Sequence, residues 1–109
     1  MKQVDPREAL DTLWSFAPKY AQAKANRVYL EEFRKTLKAK LMKGCGLDAI
    51  GAQEREAYAH ADYAALLDGL KEAVEQEETM RWRLVAAQAA IDIWRSQEAS
   101  NRNMDKAAA

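Results

Sequence analysis

One cysteine, one histidine, two prolines and four glycines are spread over 109 residues, and each scarcity closes off a class of protein. With Cys45 alone no internal disulfide can form, and no CxxC pair exists for a zinc site or a dithiol centre. His60 has no HExxH companion, which argues against a metalloenzyme. Neither a Gly-rich phosphate loop nor a Ser-centred nucleophile motif occurs, so no cofactor and no catalytic residue are expected. Val and Ile are few beside Ala, and this composition favours helix over sheet. No run of about eighteen apolar residues could span a bilayer. The stretch with Asp5, Pro6, Arg7 and Glu8 lacks the apolar centre of a secretion signal. The expectation is a non-enzymatic, all-α, cytoplasmic protein with no membrane partner.

What the chain does contain is a long helical signal. Residues 62 to 102 have no Pro and only Gly69 as a weak point. Their apolar residues follow a coiled-coil heptad seam, with Tyr63, Leu70, Leu84 and Ile91 at one position and Leu66, Ala73, Met80, Ala87 and Trp94 at the other. Asp62 is the expected N-cap. Past Asn101 nothing remains to bury, so 1–102 reads as one helical domain and 103–109 as a frayed C-terminal tail.

The first half carries a matching stripe. Asp5 before Pro6 marks a helix start, an acceptor at the cap followed by a ring of preset φ. Pro18 removes a backbone donor and should kink or interrupt the helix before it resumes from Tyr20 to Lys43. Gly44 and Gly46 supply the stop, with Lys40 and Lys43 in the last turn. Between this turn and the long helix, Asp48 is placed as the cap of a short helix carrying Ile50, Ala57 and Tyr58.

Two antiparallel helices joined by a turn should pair apolar positions whose residue numbers add to a constant. Leu41 with Leu66, Leu37 with Leu70, Ala23 with Leu84, Phe16 with Ile91 and Leu13 with Trp94 all do so, at about 107. The exception is Leu30 opposite Glu77. The pattern predicts a long antiparallel helical hairpin with a kinked first arm. A hairpin alone buries little, and large apolar residues remain off the seam. Assembly into a helical-bundle homodimer answers this, with Trp14, Tyr29, Leu67, Val74, Trp82 and Ile93 at the oligomer interface. The competing arrangement folds residues 44 to 61 back over these side chains within a monomer.

Net charge is zero but unevenly distributed. Residues 19 to 43 are rich in Lys and Arg, while 44 to 80 are dominated by acids against Arg55 and Lys71. Solvated strips facing each other along the hairpin are the simplest reading, joined by local pairs such as Glu31 with Lys35. The functional alternative places Arg34, Lys35, Lys38 and Lys43 on phosphates, with Arg81 and Arg83 flanking Trp82 as a stacking site for single-stranded nucleic acid. Overall neutrality weakens that signal. Glu72, Glu75 and Glu78 form a candidate acidic face for a partner's phosphate-binding site. Glu56, His60 and Asp62 have spacing that a metal could use, but one histidine is a poor case, and a polar cap of Tyr58, His60, Asp62 and Tyr63 is preferred. Cys45 near Lys43 reads as an ordinary turn thiol.

The segments Asn26 to Lys40 (NRVYLEEFRKTLKAK), Ala52 to Tyr63 (AQEREAYAHADY) and Met80 to Arg95 (MRWRLVAAQAAIDIWR) resemble small helical proteins of tailed bacteriophages and prophages, mostly of unassigned function. The resemblance spans Ala25 to Arg102 and brings no catalytic residues with it. It implies a protein of the infected host's cytoplasm. The function expected is interaction with phage or host proteins as a homo-oligomer, as an accessory to phage DNA recombination or replication. The alternatives are an inhibitor of a host defence or nucleic-acid enzyme, and a direct, non-specific binder of single-stranded nucleic acid.

Overall fold

The computed structural model describes residues 3–108, and these form three helices with no strand among them: α1 (Pro6–Gly44), α2 (Ile50–Ala59) and α3 (Ala61–Ala108). No helix is long and apolar enough to cross a membrane. The chain divides into two compact units, one of Met1–Tyr20 with Thr79–Ala109 and the other of Ala21–Glu78.

In the first unit α1 starts as its sequence dictates. Asp5 Oδ1 accepts hydrogen bonds from the backbone N–H groups of Arg7 at 3.0 Å and Glu8 at 3.5 Å, and the Asp5 carbonyl accepts from Ala9 N–H. Pro6 stands at the first helical position, where its missing N–H costs nothing. Ala9 and Ala87 are buried, while Leu13, Phe16, Leu84, Ile91 and Trp94 are partly buried beside them. Small residues at the contact let helix backbones approach closely and leave larger side chains to close the flanks.

The second unit contains the turn. Gly46 takes φ +76°, a left-handed conformation that disfavours any side chain. The thiol of Cys45 donates to the Met42 carbonyl at 3.1 Å. Leu66, Ala73 and Ala57 are buried, with Leu30, Phe33, Leu37 and Leu41 partly buried. Glu77 occupies a seam position yet is only 7% exposed. Arg27 meets it: Nη2 donates to Glu77 Oε1 at 3.0 Å, Nε donates to Oε2, and Nη1 reaches Glu31 Oε2 at 3.0 Å. These partners raise the Arg27 pKa, the Glu77 hydrogen bond most strongly and Glu31 next, against the opposing effect of burial.

Several local expectations are corrected. α1 passes through Pro18 without the interruption expected there; a proline inside a long helix removes one N–H donor while the turns on either side keep theirs. The short helix is present, but its N-cap is Ala49, with no side-chain cap. Asp48 is therefore not the cap; instead Gln53 Nε2 donates back to the Leu47 carbonyl at 2.6 Å. His60, not Asp62, caps α3. Its Nδ1 accepts the Asp62 N–H at 3.0 Å, and its carbonyl accepts from Tyr63 and Ala64. Finally, α3 continues to Ala108 instead of ending at Arg102, with residues 101–108 exposed. Met104, Lys106, Ala107 and Ala108 are good helix formers, which sustains it there.

Candidate functional site

Two kinds of surface stand out, an apolar one and a basic one. The apolar residues singled out for association are all exposed: Trp14, Tyr29, Leu67, Val74, Trp82 and Ile93. In the first unit Leu10, Val85 and Met104 add to them, and in the second Val28, Ile50 and Tyr58. Among the described residues no large side chain is fully buried. The first unit also holds a groove of about 500 Å³ in which Ala9, Phe16, Ala87 and Ala90 stand beside the polar Asp5, Glu8, Thr12 and Arg83. Phe16 is flanked by two cations, Lys19 Nζ at 4.7 Å and the Arg83 guanidinium at 4.8 Å from its ring centre.

The basic surface lies in the second unit. Arg34, Lys35 and Lys38 project from α1 over one turn, spaced to share a face. Together with Tyr58 of α2 and Tyr63 of α3 they line a cleft of about 340 Å³. The two rings meet edge to face, with centroids 5.2 Å apart and planes at 82°. Lys38 Nζ sits 4.8 Å from the Tyr58 ring centre and 3.7 Å from Glu54 Oε1. Hydrogen bonding to Tyr58 raises the Lys38 pKa above its ordinary value, with Glu54 adding to the effect and partial burial opposing it. Lys35 pairs with Glu32 at 3.6 Å, both largely exposed.

The expected basic set is therefore divided. Arg34, Lys35 and Lys38 converge on the cleft. Lys43 stands exposed in the last turn of α1. In the other unit, Arg81 lies 4.6 Å from the Trp82 ring centre and Arg83 lies on Phe16, so both guanidinium groups already face aromatic rings. The anticipated Glu31–Lys35 pair is replaced by Glu31 with Arg27 and Lys35 with Glu32. Glu72, Glu75 and Glu78 are all exposed on α3, and Glu75 and Glu78 each take part in an interaction within the chain.

From sequence, Tyr63 belongs to the heptad seam and Tyr58 to the short helix, and both to a polar helix cap, with neither role placing them beside the basic turn. The signal that could have joined them to the basic turn was Lys38 and Tyr58 lying on either side of a turn marked by Gly44 and Gly46. Among the described residues no group of three His, Cys, Asp or Glu side chains gathers as a metal site. Comparison with protein-family models, curated proteins and solved structures finds no match to this chain.

Proposed function

We propose that the chain is a non-enzymatic helical interaction protein that works as a homodimer and binds protein partners. The observation that carries this reading is the apolar surface left open, with Trp14 76% and Trp82 58% accessible. Ile93 in the first unit and Tyr29, Leu67 and Val74 in the second add to that open apolar surface. In this reading α1 and α3 are the arms of an antiparallel hairpin. Two copies form a coiled-coil-like bundle through Trp14, Tyr29, Leu67, Val74, Trp82 and Ile93.

The resemblance to small phage and prophage proteins supports a setting in the host cytoplasm, as an accessory to phage DNA recombination or replication that works through protein partners. Sedimentation equilibrium over a wide concentration range tests the assembly. Twice the monomer mass is expected for the native chain, with partial or complete dissociation in Leu67→Lys/Val74→Lys. A monomer at every concentration overturns the proposal.

A further inference from the structure

The cleft in the second unit goes beyond this reading, because its chemistry suits a small anion with an aromatic part and not an apolar helix face. We infer that Arg34, Lys35, Lys38, Tyr58 and Tyr63 form a binding site for a nucleoside phosphate, free or within a single strand. Three cations from α1 converge on a volume of about 340 Å³. That is larger than one phosphate group requires and falls at the lower end of small-molecule sites. The carboxylates near the cations are Glu54, 3.7 Å from Lys38, and Glu32, 3.6 Å from Lys35. Both are substantially solvated, so they hold the lysines only weakly. Arg34 has no ion pair among the described residues and keeps its planar fork for phosphate oxygens.

The rest of the wall is aromatic. Tyr58 and Tyr63 come from different helices, and the His60 cap fixes the junction between them. Their rings offer the apolar, planar surroundings that a base requires. The cations thus supply affinity, and the tyrosines supply preference for a nucleotide over a bare anion.

Calorimetric titration of the full-length protein with 5′-AMP, adenosine and inorganic phosphate, and anisotropy with a 3′-labelled single-stranded oligonucleotide, test the site. AMP should bind more tightly than adenosine or phosphate. Moving from about 50 to 200 mM salt should weaken binding several-fold. Arg34→Gln/Lys35→Gln removes exposed charges, and circular dichroism should show its helix content unchanged. This variant should weaken binding about tenfold and flatten the salt dependence. Much tighter binding of the oligonucleotide than of AMP identifies strands as the source, and the reverse identifies the free nucleotide. Failure of both to bind at low salt, or equal binding by the double variant, overturns the proposal. Equal affinity for phosphate and AMP removes the nucleotide from it. None of these readouts depends on whether the chain dimerises.

Discussion

Arg27 and Glu77, fifty residues apart in sequence, hold each other through a forked ion pair in which the carboxylate is almost withdrawn from solvent. Glu77 interrupts an otherwise apolar seam, so the pair works as a register mark. Without that guanidinium the carboxylate would sit uncompensated against apolar neighbours.

Removing one member should therefore hurt more than removing both. Arg27→Met strands a buried carboxylate and is expected to lower the urea midpoint clearly. Arg27→Met/Glu77→Met should recover most of the loss, because a buried pair can be replaced by apolar packing at little cost. Equal midpoints for the single and double variants would contradict this account.

The His60 cap leads to a second expectation. His60→Ala removes the acceptor for the Asp62 N–H and should cost about 1 kcal/mol, while His60→Asn, a good capping residue, should cost much less. Thermal unfolding of the three proteins measures the difference. No loss in the alanine variant would return the capping role to Asp62.

Glycines at two positions should respond in opposite directions. A Cβ at Gly69 meets nothing within 4 Å, and the residue lies inside α3. Gly69→Ala should stabilise the protein by about 1 kcal/mol through helix propensity. Gly46 also has open space, but its φ of +76° penalises a side chain. Gly46→Ala should destabilise by about 1 kcal/mol. Chemical denaturation of both variants would show shifts of opposite sign.

Lys38 supplies a prediction at high pH. Its folded pKa lies above the ordinary 10.5, so its contribution to stability is complete below that pH and is lost as pH rises through the folded value. Native protein should be more stable than Lys38→Met at neutral pH, and the gap should close in strongly alkaline solution. A gap that widens with pH would reverse the sign assigned here.

The long-range pattern was legible in sequence because helical periodicity is set by burial. The seam residues Leu66, Ala73 and Ala87 are buried, and Tyr63, Leu70, Met80, Leu84, Ile91 and Trp94 are partly buried. Local ends were harder to read. A histidine can cap through its ring nitrogen, and Asp62 two residues on is the stronger capping type by composition, so the choice depended on backbone geometry. Ala49 caps α2 with no side-chain partner at all, which leaves no sequence mark. The basic turn was visible as charge, but its meeting with Tyr58 and Tyr63 required the path of the chain between α1 and α3. Arg27 opposite Glu77 could have been anticipated, since an acid on an apolar seam demands a cation within about one turn of its expected partner.

Among the described residues four of the five buried apolar ones are alanines, and Ala57 is wholly enclosed. Mutational drift should consequently run at two speeds. Enlarging Ala9, Ala57, Ala73 or Ala87 wedges neighbouring backbones apart, so those sites are closed to nearly every substitution. The outward tryptophans and aliphatics support little of each unit's interior, so their identity answers to whatever surface they meet. A lineage carrying this scaffold could therefore exchange one binding partner for another while the architecture beneath stays constant.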